Sequence, residues 1–176
     1  LAKELLEEIS KSLKAKFGVG LTTIRNDQEH SLEIELPFLQ QAIEGDFNLV
    51  PIMLREQTRE FSKGLGNILA EILEGKSFLM VASSDLSHFH PETVANKLDQ
   101  RVLQAVDDFS PERLFDLKES GAGEACGLAP IAALLWASRA LGADKVTRLS
   151  YNTSAAGTGD RSSVVGYGAA VITRSS

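Results

Sequence analysis

The sequence is poor in the residues that most often carry chemistry. It has one cysteine and three histidines among 176 residues, so an internal disulfide is excluded. This usage is typical of a reducing compartment, and we expect a cytoplasmic protein. The chain contains no P-loop, no His-Glu-x-x-His motif and no Cys-x-x-Cys pair. Its apolar runs are all much shorter than the roughly 18 residues that a membrane span needs, which predicts no membrane insertion.

Positive charge is also scarce. Lys and Arg number 18 against 24 Asp and Glu, for a net charge of -6. Nucleic-acid surfaces need clustered Lys and Arg, so this balance argues against nucleic acid as a partner. The 43% apolar and 24% charged residues are ordinary for a globular protein. The length suits one compact domain over residues 1–176.

Apolar periodicity predicts an α/β fold. Leu32, Leu36, Leu39 and Ile43 indicate a helix opening near His30, which Pro37 should kink or split. Short apolar runs predict strands, and their alternation with helices predicts a mainly parallel or mixed central sheet with helices on both faces. The predicted strands are Leu21–Ile24, Leu49–Leu54 (weakened by Pro51), Phe78–Ala82, Lys145–Tyr151 and Val164–Ile172.

Three polar clusters fall in predicted loops, and they contain or adjoin all three histidines and the cysteine. They are Glu29–Ser31, Asp85–His88 and Glu124–Gly127. In a parallel sheet, ligands bind beyond the carboxyl ends of the strands. We therefore expect the three clusters to meet at one polar cleft.

Asp85 and His88 stand three residues apart after a predicted strand. On a helical turn they would share a face, with Asp85 orienting the imidazole and one ring nitrogen left for substrate or metal. In the alternative, Ser84 or Asp85 caps a helix and His88 is merely exposed. His90 precedes Pro91 and has weaker support, because it can equally decorate the loop.

His30 and Cys126 each allow two interpretations. His30 stands at a predicted helix start. It is either a metal ligand or a surface or capping histidine. Cys126 precedes Gly127 near another helix start, where the helix dipole would stabilise a thiolate. The alternative is a small buried hydrophobic residue, as free cysteine often is.

In their order along the chain, these motifs resemble the Memo family, called AmmeMemoRadiSam system protein B in bacteria and archaea. The resemblance spans nearly the whole chain. The matching pieces are Glu29–Glu33 with Leu36-Pro37, Leu49–Ile52, Ser83–His88, Cys126-Gly127 with Pro130, Leu149–Tyr151, Asp160, Ser162–Val164 and Tyr167–Ala169.

The resemblance implies a fold similar to class III extradiol dioxygenases. It also implies a cleft with two ligand histidines and a ligand cysteine, beside an Asp and a further His. His30 matches one ligand histidine, Cys126 the ligand cysteine, and Asp85 and His88 the neighbouring pair. The other ligand histidine belongs to an N-terminal Pro-His-Ala-Gly motif, which this chain does not contain.

We therefore expect the larger, C-terminal part of a Memo-like domain that lacks its N-terminal segment. That segment or a partner chain would complete the sheet. Without it, the apolar run Phe78–Ala82 should leave an exposed apolar edge.

The function implied by the resemblance is a non-haem metal cleft, with iron or alternatively copper, in a redox or oxygenase-type role. Cysteine in place of the carboxylate of a two-His facial triad argues against ordinary ring cleavage. One alternative is a non-catalytic module that keeps an enzyme-like cleft for a small molecule, a peptide or a protein. Another is metal-free nucleophilic catalysis by Cys126, His88 and Asp85.

Overall fold

The structure is a computed structural model that describes residues 1–26 and 28–175. None of the helices in this part of the chain is long and apolar enough to cross a bilayer. The helices are α1 (Lys3–Phe17), α2 (Ser31–Ala42), α3 (Arg59–Leu73), α4 (Glu92–Asp107), α5 (Pro111–Glu119), α6 (Leu128–Ala140) and α7 (Ala155–Thr158), and the strands are β1 (His88–His90), β2 (Lys145–Thr153) and β3 (Val164–Thr173).

The sheet is small and antiparallel, so the prediction of a mainly parallel or mixed sheet is wrong. Its order is β1-β3-β2, and both pairings are antiparallel. β2 and β3 were predicted within two residues of their bounds. The other predicted strands, 21–24, 49–54 and 78–82, form no strand among the described residues. An apolar run becomes a strand only where a neighbour takes its backbone hydrogen bonds, and Pro51 has no N–H to donate.

The run Phe78–Ala82 lines one wall of a groove of about 510 Å³, and β3 lines another. Phe78, Leu79 and Val81 are 42%, 67% and 50% exposed. The continuous apolar sequence predicted a strand covered on both faces. In the part of the chain that the structure describes, the run forms no strand and is partly exposed. That a missing segment or a partner chain covers it stays a prediction.

Helices α3 and α6 form the centre of the molecule. The hydroxyl of Thr58 caps α3 by accepting the N–H of Phe61 at 3.3 Å. The two helices approach closely at Gly66, where a Cβ would lie 2.6 Å from the carbonyl oxygen of Ala133. One apolar cluster joins α4, α5 and α6 to the sheet, and a second joins α1 and α3.

Helix α2 runs continuously through Pro37 and is not split. Pro37 deprives the carbonyl of Glu33 of its intrahelical donor. Glu33 is exposed, so water can satisfy that carbonyl. No residue of α2 is buried, and the helix therefore lies on the surface with its N-terminal end toward the site described next.

Candidate functional site

Two stretches of backbone that are distant in sequence meet at the site, 83–85 and 126–127. The hydroxyl of Ser84 accepts the N–H of Gly127 at 2.8 Å and donates to the carbonyl oxygen of Asp85 at 2.7 Å. A Cβ at position 127 would lie 2.5 Å from the carbonyl oxygen of Ser83. Glycine at this position is therefore what permits the close approach.

Cys126 lies immediately before α6, whose N-cap is Gly127. Its Sγ accepts the backbone N–H of Asp85 at 3.2 Å and lies 3.7 Å from the hydroxyl oxygen of Ser84. The helix start and the N–H donor both place partial positive charge beside the sulfur. Cys126 is exposed, so the interpretation as a buried hydrophobic residue is wrong.

Asp85 and His88 lie in contact. Oδ2 of Asp85 is 3.3 Å from Nε2 of His88. They do not share a helical turn, which the spacing had suggested, because Leu86 and Ser87 between them hydrogen-bond with Gly166 of β3. The side chain of His88 is only 33% exposed. An ionised carboxylate only accepts hydrogen bonds, so this contact is a hydrogen bond when Nε2 of His88 carries a proton.

His30 is held at the start of α2. Glu29 caps this helix, since its Oε1 accepts the N–H groups of His30 and Ser31, each at 2.8 Å. The bond from Ser31 lowers the pKa of Glu29 below its ordinary value. The carbonyl oxygen of Ser31 accepts the hydroxyl of Ser83 at 3.2 Å, so this helix start lies beside the segment that leads to Asp85. Nδ1 of His30 is 3.0 Å from the carbonyl oxygen of Gln28.

Direct contacts thus join Asp85, His88 and Cys126, whereas the imidazole of His30 hydrogen-bonds within its own loop. Among residues 1–26 and 28–175, no group of three or more His, Cys, Asp or Glu side chains is arranged to hold a metal ion. The assignments of Asp85 and His88 as catalytic residues, and of His30 and Cys126 as metal ligands, stay predictions.

A second histidine–carboxylate pair was missed by the sequence analysis. Nε2 of His90 lies 3.0 and 3.2 Å from the two carboxylate oxygens of Glu124. The partners are 34 residues apart, so no local spacing signals the pair. The available signal was the position of Glu124 in the polar cluster two residues before Cys126. The pair ties β1 to the loop that carries the thiol.

Buried Asp99 fixes the backbone ahead of His88. Its carboxylate accepts the N–H of Ser87 at 2.9 Å and the hydroxyl of Tyr151 at 2.7 Å, and Asp99 is 0% exposed. Burial, together with the bond to Asp99, raises the pKa of Tyr151 well above its ordinary value. A Cβ at Gly166 of β3 would collide with this carboxylate. The backbone of the site segment is therefore supported by a buried hydrogen-bond network, in which the hydroxyl of Ser87 alone has no partner among the described residues.

A model of the Memo family, described as Memo-like protein, matches residues 2–171. The chain belongs to the Memo family. The family assignment made from the motifs is thereby confirmed, and it covers the site segments around residues 30, 85 and 126.

Curated Memo relatives from archaea, each called MEMO1 family protein, agree with this assignment. One from Methanosarcina mazei is 36% identical over 146 residues, which is 82% of this chain and 55% of the relative. One from Nitrosopumilus maritimus is 34% identical, over 94% of this chain and 59% of the relative. One from Aeropyrum pernix is 40% identical, over 79% of this chain and 50% of the relative. The chain therefore spans about half to three-fifths of the length of these relatives.

Proposed function

We propose that this Memo chain carries part of a non-haem metal centre, with His30 and Cys126 as ligands and with Asp85 and His88 as acid–base or orienting groups. The metal would be iron, with copper as the alternative. The observation that carries the proposal is the position of Cys126 at the start of α6, where its exposed Sγ accepts the N–H of Asp85 at 3.2 Å beside the Asp85–His88 pair.

The donor types fit such a metal. Imidazole suits iron and copper, and thiolate favours softer or lower-valent metal. Cys126 is exposed and can be reached by an ion. Nδ1 of His30 donates a hydrogen bond to the carbonyl of Gln28, which orients the ring. The lone pair of Nε2 is then available to bind a metal ion. A backbone carbonyl on the other ring nitrogen is a frequent feature of metal-binding histidines.

His88 is suited to moving a proton. Asp85 holds its Nε2–H, so Nδ1 can accept a proton from a ligand bound beside Cys126, or return it. The buried bond from Ser87 to Asp99 keeps the backbone of this segment in place. A redox-active metal, when bound, would supply electron transfer or oxygen chemistry, in keeping with a redox or oxygenase-type role.

Two other functions are supported by particular observations. The exposed thiol of Cys126, its N–H donor and the His88–Asp85 pair also suit nucleophilic catalysis without metal. The apolar groove beside Phe78–Ala82 suits a non-catalytic peptide- or protein-binding module. The following measurement separates them from the metal centre.

The test is the absorption spectrum of the protein purified without oxygen and titrated with Fe(II), Cu(II) or Co(II). Because Cys126 is the sole cysteine, a thiolate-to-metal charge-transfer band can arise only there. We expect the band in the wild type, its loss in Cys126→Ser and its weakening in His30→Ala. A spectrum without this band for all three metals would exclude Cys126 as a ligand and favour the other two functions.

A further inference from the structure

Phe89 lies between the two histidines of β1 in a conformation that phenylalanine rarely adopts. Its φ is +61°, in the left-handed region, where a bulky side chain is strained. In the ladder with β3, His88 lies opposite Val165 and His90 opposite Val164. Phe89 is therefore the extra residue of a β-bulge, a device that re-aims a side chain.

The neighbours on both sides hold this strained conformation. His88 is bound by Asp85 at 3.3 Å, and His90 is bound by Glu124 at 3.0 Å. Both imidazoles are thereby retained at the site, and the side chain of Phe89 is directed outward. Such strain persists only where the surrounding contacts over-determine it.

Burial does not compensate the strain at Phe89. Its side chain is 77% exposed, more than any other large hydrophobic side chain among the described residues. Phe109 offers the contrast, with a φ of +52°. Phe109 packs against the main core cluster, and Arg139 lies over its ring at 5.7 Å. Packing therefore accounts for phenylalanine at 109 but not at 89.

The exposed ring stands beside the proton-carrying pair of the proposed site. The ring centroids of Phe89 and His88 are 5.7 Å apart, at an interplanar angle of 52°. A ligand packed on this ring would meet His88, with the carboxylates of Asp85 and Glu124 close by. Those carboxylates repel anions and accept hydrogen bonds, so they disfavour an anionic ligand and favour one that donates a hydrogen bond. Each already pairs with an imidazole, so a neutral donor suffices.

We propose that Phe89 is a specificity-determining residue, whose ring packs on the planar aromatic part of a neutral small molecule while a hydrogen-bond donor of that molecule binds at the Asp85–His88 pair. The proposal rests on the proposed function only in sharing this pair. It does not require a metal, and a test in the presence of a chelator keeps the two proposals separate.

The experiment measures binding of phenol and of cyclohexanol to metal-free protein with chelator, followed by NMR of the histidine ring protons. The two probes share a hydroxyl and six carbons, but only phenol is planar and aromatic. We expect phenol to bind more tightly and to shift the His88 signals. In Phe89→Asn the dissociation constant for phenol should rise about two- to tenfold, the range of one aromatic contact.

Thermal unfolding of Phe89→Asn distinguishes a binding role of Phe89 from a structural one. If Phe89 stabilised the fold, the substitution would lower the Tm. Asparagine tolerates the left-handed region, so Phe89→Asn should keep or raise the Tm. The matched control, Phe109→Asn, should lower the Tm because it empties packed space.

Three results would each overturn the proposal. They are equal binding of phenol and cyclohexanol, unchanged phenol binding in Phe89→Asn, and a fall in Tm for Phe89→Asn as large as that for Phe109→Asn. If the wild type shows no charge-transfer band with any of the three metals but still binds phenol, only the metal centre is refuted.

Discussion

Asp85 and Cys126 hydrogen-bond to each other in both directions. The N–H of Asp85 donates to Sγ of Cys126 at 3.2 Å, and the N–H of Cys126 donates to the carbonyl oxygen of Asp85, also at 3.2 Å. The two residues are 41 positions apart. This reciprocal pair aligns a carboxylate, an imidazole and a thiol, because Asp85 also binds His88.

Gly127→Ala should disturb that alignment. The new Cβ would lie 2.5 Å from the carbonyl oxygen of Ser83 and 2.7 Å from Cβ of Ser84. Overpacking against backbone should lower the free energy of unfolding by about 1–3 kcal/mol, measured by urea denaturation. Gly157→Ala is the matched control, since nothing lies within 4 Å of its added Cβ. Equal stability of the two variants would show that the approach at Gly127 is not close.

Tyr151→Phe should destabilise the support behind His88. The hydroxyl of Tyr151 donates to Asp99 at 2.7 Å, and its loss leaves a buried carboxylate short of a donor. We expect the free energy of unfolding to fall by about 1–3 kcal/mol. Tyr167 is 45% exposed, so Tyr167→Phe should change it by less than about 0.5 kcal/mol. The account of the network fails if the two substitutions have the same effect.

Alkaline pH should weaken the fold through the same tyrosine. Burial and the bond to Asp99 raise the pKa of Tyr151 in the folded state above the value of about 10 in an unfolded chain. Because the folded pKa is the higher one, the stabilising contribution is complete below about pH 10 and is lost as the pH rises above it.

Urea denaturation at pH 8 and pH 10.5 checks this dependence. The difference in free energy of unfolding between wild type and Tyr151→Phe should shrink at the higher pH. A constant difference at both pH values would contradict the raised pKa.

The sequence predicted some local features around Asp85 and Cys126 better than it predicted the sheet. Gly127 and the small residues around Cys126 signalled a helix start. The spacing of Asp85 and His88 signalled a contact, although an extended segment hydrogen-bonded to Gly166, and not a helical turn, produces it. Local spacing could not reveal Glu124 as the partner of His90, because that contact depends on how β1 packs against a distant loop.

The mainly parallel or mixed sheet was predicted from the alternation of strands and helices, with the apolar run Phe78–Ala82 as a central strand covered on both faces. The composition of a segment shows how much apolar surface it can bury. Whether it forms a strand depends on a hydrogen-bonding neighbour elsewhere in the chain. Only β2 and β3 were predicted correctly, because their partners are each other and a short connection brings them together.

Metal content most directly tests the central claim, that Cys126 is a ligand of a metal centre. Elemental analysis would compare the protein purified without oxygen, its Cys126→Ser variant and the Gly157→Ala control. A neutral hydroxyl is a poor replacement for a thiolate, and the volume hardly changes, so Cys126→Ser should remain folded. We predict iron or copper in the wild type and the control, and a sharp loss in Cys126→Ser. Equal metal content in all three proteins would contradict the account.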